Sequence, residues 1–265
     1  MPIQLIVAAL ALSGVMWLLW WVQTRTRDAS IVDAAWALGI GGAALGFALS
    51  SQLAGAAGDP ARRWLACGLV AAWGLRLGGH LLLDRVLHAP AEDGRYRAMR
   101  EHWGAAANAN FAWFYQAQAA AALVFALPAL VAAHDPRPLG LPDALAGGWW
   151  LGCLVLVSLA DRQLARWRAD PANAGRTCRA GLWRWSRHPN YFFEWLLWFA
   201  YVPLAWGGPC GPWTLAVPLV LLLLLLFVSG VPYVEARALK TRGDDYRAYQ
   251  RETSMFVPLP PRAAG

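Results

Sequence analysis

Apolar and polar stretches alternate seven times along this chain. The apolar ones fall near residues 3–22, 30–50, 64–83, 111–133, 144–160, 191–206 and 213–234. Each is close to the roughly 20 residues a helix needs to cross a hydrocarbon core of about 30 Å. The pattern predicts an all-α, polytopic membrane protein with seven transmembrane helices. Ile3 to Val22 has no basic leader and no small-residue cleavage site, and it outruns the apolar part of a signal peptide. It is expected to remain as a membrane anchor. The longest polar connections cover 84–110 and 161–190; others are short or turn-like, as at Gly207-Gly208-Pro209-Cys210-Gly211-Pro212. No repeat, low-complexity linker or appended soluble region interrupts the series, and a single domain over 1–265 is expected.

Composition sharpens this picture. With 58% hydrophobic residues, 15% charged residues and 17 tryptophans, the chain is too apolar for an ordinary soluble domain. Its basic residues number 23 and Lys240 is the sole lysine, leaving 22 arginines. They cluster after the first, third, fifth and seventh stretches, whereas the alternate connections hold only Arg62, Arg63 and Arg137. Basic residues flanking spans are retained in the cytoplasm, which predicts an outside amino terminus and a cytoplasmic carboxyl terminus. The net charge of +7 then lies on one face, suited to anionic membrane lipid or to an anionic cofactor. Nucleic acid is not an expected partner. The four cysteines and five histidines show no ligand spacing, and no metal is expected.

Gly39-Ile40-Gly41-Gly42-Ala43-Ala44 fits a G-x-G-x-x-A pattern but lies mid-membrane with no strand before it. A dinucleotide loop requires strand, turn and helix. Gly42 and Gly46, four apart, instead suit close helix packing in lipid.

Ionisable side chains inside spans mark cavities or partners, and here they are Asp33, Arg76, His80 and Glu194. Arg76 and His80, four apart, share a helix face. Asp161 and Arg168 lie two turns apart as the fifth span emerges. Seven arginines follow between Arg162 and Arg187, and guanidinium forks bind phosphate oxygens in a bidentate way. Pro189 suits the first turn of the next helix, whose free N–H groups favour phosphate beside Arg187 and His188. Asn190, Glu194 and Trp198 then follow at four-residue intervals on one face.

The run Ser186-Arg187-His188-Pro189-Asn190-Tyr191-Phe192-Phe193-Glu194 resembles the signature of the steroid 5-alpha-reductase family, in its bacterial membrane branch, with Phe193 where that branch usually has glycine. Val32-Asp33, Glu92-Asp93-Gly94-Arg95-Tyr96, Ala160 to Leu164 and the ending from Tyr246 to Pro258 extend the resemblance over nearly the whole chain. It implies a seven-helix membrane enzyme that uses NADPH to reduce the enone C=C bond of a 3-oxo-4-ene steroid. Carried over by position, it implies NADPH contacts from Asp161, Arg168, Arg176, Asn190 and Trp198, with Arg95 and Tyr96 closing over the cofactor, and with Glu235 and Tyr246 beside them. Arg187 and His188 join the cofactor set through the helix start. Asp33 matches the span-two carboxylate that holds the substrate carbonyl. The family's tyrosine of span three is absent here, and His80 is assigned the proton-donor role in its place.

Hydride transfer is the cofactor's chemistry; the protein must orient the substrate, exclude water and polarise the carbonyl. A carboxyl buried among apolar residues can stay neutral and donate a hydrogen bond, a role open to Asp33 or Glu194. Trp36 and neighbouring aromatics could line a flat lipophilic pocket, so substrate binding is assigned to Asp33, Trp36 and Glu194. A hopanoid, a quinone precursor or an unsaturated fatty ketone would suit the same pocket. Isoprenylcysteine carboxyl methyltransferases also carry an Arg-His-Pro-x-Tyr run before a late span, and S-adenosylmethionine-dependent methyl transfer is the alternative. That cofactor has no phosphate and leaves the 162–187 arginines unexplained. A lipid-binding or transport protein would leave Asn190 and Glu194 unexplained. A monomer in a bacterial inner membrane is expected, with the cofactor site on the cytoplasmic side.

Overall fold

The computed structural model describes residues 1–88, 91–228 and 230–262. Among them the chain is helical and contains no strand. The helices are α1 (Pro2–Thr26), α2 (Ile31–Leu53), α3 (Pro60–Leu82), α4 (Gly94–Trp103), α5 (Ala107–Ala132), α6 (Leu141–Ala169), α7 (Pro189–Leu197), α8 (Tyr201–Ala205), α9 (Ala216–Leu223) and α10 (Val231–Glu252). Start signals are local. Asp59 caps α3 by accepting from the Arg62 N–H at 2.8 Å, ahead of Pro60. Asp93 caps α4 through the Arg95 N–H at 2.9 Å. Both carboxylates suit the positive end of a helix dipole.

Six stretches among the described residues are long and apolar enough to cross a membrane: Pro2–Thr26, Ile31–Leu53, Pro60–Leu87, Gly94–Ala132, Leu141–Ala169 and Gly211–Glu252. The chain is thus an integral, multi-pass membrane protein. Seven such helices were expected, and the difference lies at 191–206. Pro189 and the Gly207-Gly208-Pro209 turn bound that segment, and a 3-10 turn at Trp198–Ala200 tightens it midway. The result is α7, of 9 residues, and α8, of 5. At about 1.5 Å per residue, α7 rises roughly 14 Å, about half a hydrocarbon core. The last expected stretch lies within Gly211–Glu252, apart from Ser229, which is outside the described residues.

Read from sequence as one domain, the chain groups in space into two compact units, residues 1–139 with 204–214 and residues 140–203 with 215–265. In unit one, α2 and α3 meet through small residues. A Cβ on Gly74 would stand 2.5 Å from the Ala37 carbonyl oxygen, and one on Gly41 would stand 3.2 Å from the Ala71 Cα. Gly78 faces the Ala34 carbonyl in the same way at 3.1 Å. Close backbone approach of this kind maximises dispersion contact where lipid supplies no hydrophobic drive. The packing glycine of α2 is therefore Gly41 rather than Gly42 and Gly46, where a Cβ meets nothing within 4 Å. Across α1 and α5, Ser13 donates to Gln116 Oε1 at 2.7 Å and Trp20 Nε1 donates to the Asn108 carbonyl at 2.8 Å.

Two arginines that the sequence left as ordinary connection residues prove to be core. Arg62 and Arg63 are each 2% exposed at the start of α3. Arg62 donates to the carbonyls of Arg137, Pro138 and Leu204. Arg63 reaches the Ala133, Ala56 and Gly58 carbonyls and Gln52 Oε1. They bond backbone carbonyls that a helix end or turn leaves without helical partners. Asp135 completes this end. Fully buried, it accepts from Arg137 and from the Gly207 N–H, while its own carbonyl accepts from the Asp59 N–H. Burial alone would push its carboxyl up, but the hydrogen bonds and charge of Arg137, with the Gly207 N–H, hold it below the usual 3.8.

In unit two, the 3-10 turn Gly181–Arg184 returns the chain onto α6. Trp183 Nε1 donates to the Ala160 carbonyl at 2.9 Å, and the Leu182 N–H donates to Gln163 Oε1 at 2.9 Å. Gly181 has a φ of 57°, and a Cβ there would collide with Gln163. Trp149 Nε1 donates to the Leu196 carbonyl, and Trp150 Nε1 to the Tyr201 hydroxyl. The chain beyond α10 straps the turn into α7. The Arg187 N–H donates to the Ser254 carbonyl, Ser186 Oγ to Phe256 and the Leu259 N–H to Trp185.

Gly74→Leu is expected to cost about 1–3 kcal/mol by overpacking, read as a lower Tm in detergent, whereas Gly42→Ala is expected to leave Tm unchanged or raise it. Asp135→Asn is expected to lower stability by about 1–3 kcal/mol at neutral pH. Because the folded Asp135 carboxyl lies below its unfolded value, its contribution is present above about pH 3.8 and lost as pH falls through the folded value. The gap between wild type and variant should therefore narrow in thermal unfolding below that pH.

Candidate functional site

One cluster of ionisable groups forms around Asp33 in unit one and another around Glu235 in unit two. In unit one, Asp33 lies in the first turn of α2, where three donors converge on it. Tyr96 donates its hydroxyl to Oδ1 at 2.6 Å, while Arg95 and Arg85 donate to Oδ2 at 2.5 and 2.8 Å. Arg95 also holds Asp93 Oδ1 through Nε at 3.2 Å. Next to this set, Glu92 accepts from the Ala29 N–H and from Arg100, and Ser30 Oγ accepts from the Asp93 N–H. Burial would raise the Asp93 carboxyl, yet the hydrogen bonds from Arg95 and the charges of Arg95 and Arg85 hold it below its ordinary value. Tyr96 is 2% exposed and packs against Phe111 and Phe114.

The cluster joins Asp33 to Arg95 and Tyr96, which the sequence had given separate roles at the substrate and the cofactor. It also brings in Arg85 and Ser30, which sequence reasoning passed over, and Glu92, a motif residue given no role there. A signal was present: acids and arginines interleave on both sides of a break between apolar stretches. With two guanidinium groups and a phenol on its oxygens, Asp33 serves as an acceptor, which is a different role from a neutral acid that donates. His80 lies exposed on α3, outside this hydrogen-bonded set. Trp36, one turn along α2 from Asp33, packs edge-on against Trp73 and Phe125, at 5.9 and 5.4 Å between ring centroids.

In unit two, the turn before α7 lies against α10. Glu235 is the hub. Its Oε1 accepts from Arg187 Nε at 2.7 Å and from the Tyr246 hydroxyl at 3.3 Å, and lies 3.2 Å from His188 Nε2. Its Oε2 accepts from Gln250 at 2.8 Å. Arg187 also donates to the carbonyls of Gln250 and Thr253. His188 stacks on Tyr191, with ring planes 9° apart. A φ of 52° at Gly243 bends α10 between Glu235 and Tyr246. The sequence placed Arg187 and His188 toward a phosphate; in the structure both are engaged by Glu235, with Gln250 as a partner that sequence reasoning missed.

The first turn of α7 also carries Asn190. Asn190 Nδ2 donates to Asp161 Oδ1 at 3.1 Å, while its Oδ1 accepts from the Tyr191 N–H. Arg162, Arg166, Arg168, Arg176 and Arg184 are exposed along α6 and the segment after it. Trp198 is buried, and Glu194 is half-buried on α7. Burial pushes the nearby Cys178 thiol up despite the charges of Arg168 and Arg242. The Thr177 N–H donates to Asp245, which also pairs with Arg179. Among the described residues no group of three or more His, Cys, Asp or Glu is placed to hold a metal ion.

A protein-family model described as "Protein of unknown function (DUF1295)" matches residues 19–253. No curated protein matches the chain.

Glu235→Ala would strand the Arg187 guanidinium, which is mostly buried. A loss of about 3–5 kcal/mol is expected, measured as a fall in thermal stability. Replacing both partners by apolar residues, Arg187→Met with Glu235→Leu, should cost clearly less than the single change.

Proposed function

We propose, from the premise that the chain belongs to the DUF1295 family, that it is an NADPH-dependent membrane reductase of enone C=C bonds. That family has no assigned function of its own but is associated with steroid 5-alpha-reductase-like membrane proteins. The observation that carries the reading is the division of labour among the unit-two arginines. Arg187 is taken by Glu235, whereas Arg162, Arg166, Arg176 and Arg184 stay exposed in a polar segment beside the Asn190–Asp161 pair.

The residues present fit the cofactor. Exposed guanidinium forks suit phosphate oxygens in a bidentate way. Asn190 and Asp161, an amide and a carboxylate already aligned, suit ribose hydroxyls or a carboxamide. Arg168 and Trp198 complete that set on α6 and after α7. Glu235, with Arg187, His188, Tyr246 and Gln250, fixes the turn from which Asn190 projects. NADPH, when bound, supplies the hydride and leaves as NADP+.

The substrate half is assigned to α2. As hydride reaches the β-carbon, the C=C electron pair shifts toward the carbonyl oxygen, and a proton from solvent closes the α-carbon. Enone, NADPH and one proton thus give saturated ketone and NADP+. The protein must meet the negative charge growing on that oxygen with fixed donors. Asp33, with Arg95, Arg85 and Tyr96, anchors this end of α2 and sets its electrostatics. A 3-oxo-4-ene steroid or a similarly flat lipophilic ketone is the substrate class, and Glu194 is a second substrate-side carboxyl. The basic connections support a cytoplasmic side for the cofactor segment and the carboxyl terminus.

The test is calorimetric binding of NADPH, NADH and S-adenosylmethionine to detergent-purified protein, followed by progesterone with the cofactor that binds. NADPH binding with loss of the enone absorbance is expected. Asn190→Ala and Arg176→Ala should each weaken NADPH by about tenfold, roughly 1.4 kcal/mol. Selective binding of S-adenosylmethionine would replace the reductase with a methyltransferase, and binding of none of them would remove the enzymatic reading.

A further inference from the structure

Trp36 carries a buried indole N–H with no hydrogen-bond partner in the structure. A buried donor without an acceptor costs about 1–3 kcal/mol, and native structures hold few of them, so each calls for an explanation. In unit one only Gln23 Nε2 shares this condition among described side-chain donors, and it lies on α1 beside Arg100. Trp36 lies on α2, three residues after Asp33 and therefore on the same face of the helix.

We infer that the Trp36 indole N–H is the hydrogen-bond donor for the carbonyl oxygen of a lipophilic ketone. The inference rests on the reductase reading and names the group that performs its carbonyl polarisation. The donor has to come from somewhere other than Asp33. Both Asp33 oxygens are occupied by Arg85, Arg95 and Tyr96, and a carboxylate facing two guanidinium groups repels rather than stabilises a developing oxyanion. Trp36 has the opposite character. Indole is a donor only, carries no charge and cannot itself accept. Trp73 and Phe125 pack edge-on against its ring and limit its rotation, so the N–H direction is set before a ligand arrives. A fixed neutral donor among apolar groups gains more from a developing negative charge than the same donor in water. The apolar groove between α2 and α3, lined by Leu38, Gly41, Leu45, Ala72 and Leu75, has no side-chain donor to offer in its place.

The test compares wild type with Trp36→Phe, which keeps an aromatic ring and deletes the donor along with part of the indole. Affinities for a 3-oxo-4-ene steroid and its 3-deoxo counterpart are measured by calorimetry. The inference expects about a tenfold weaker affinity for the 3-oxo ligand and no change for the 3-deoxo ligand, which reports on the packing lost with the larger ring. Equal loss for both ligands, or no loss for either, would overturn it. Should Trp36→Phe fail to fold, nitrogen-15 indole spectra of the wild type decide. One N–H resonance should move downfield with the 3-oxo ligand and stay in place with the 3-deoxo ligand; no such difference would overturn the assignment. NADPH binding, measured separately, tells the two ideas apart. A protein that binds NADPH and reduces the enone equally well as Trp36→Phe keeps the reductase reading and loses this one, whereas failure to bind NADPH removes the reductase reading itself.

Discussion

A guanidinium group in a helical membrane protein has to find its acceptors within the protein, and that requirement organises both units. Water is absent from the hydrocarbon region, so each N–H left without a partner there costs several kcal/mol. Arg62 and Arg63 meet the requirement with backbone carbonyls at the start of α3. Arg85 and Arg95 meet it with Asp33 at the start of α2, and Arg187 meets it with Glu235 and the chain beyond α10. In all three places the arginine joins segments distant in sequence, and the fork geometry, rather than charge alone, lets one side chain hold two or three partners.

The same requirement separates the arginines held inside each unit from those left exposed. In unit two, the charge that aligns the turn before α7 is spent on Glu235, and the groups around Asn190 and Asp161 are held by a frame that is already satisfied. In unit one, the satisfied Asp33 cluster sits one turn from an unsatisfied indole.

Much of this was legible in the sequence. Apolar stretches marked six crossing segments because a span of about 20 residues is a length requirement that hydropathy reports directly. The stretch at 191–206 has the hydropathy of a span, but neither Pro189 nor the 3-10 turn at Trp198 registers in such an average. Motif positions such as Arg187, His188 and Glu235 were picked out, but their mutual contact was not, since pairing between residues 48 apart leaves no periodic trace. Tyr96 and Asp33 show the same limit, being 63 apart. Small-residue packing was anticipated on α2 with the wrong glycine, because a one-residue change of register rotates a side chain by about 100° around a helix of 3.6 residues per turn.

The strap beyond α10 has a consequence for how the protein is made. The turn that carries Arg187 and His188 is completed by carbonyls of Thr253, Ser254 and Phe256, close to the last described residue. During synthesis these residues emerge after α10, when the preceding helices can already be in the bilayer. Until then the Arg187 guanidinium lacks part of its acceptor set, and the frame beneath Asn190 is unfinished. Unit two is thus closed by residues that are made after α10.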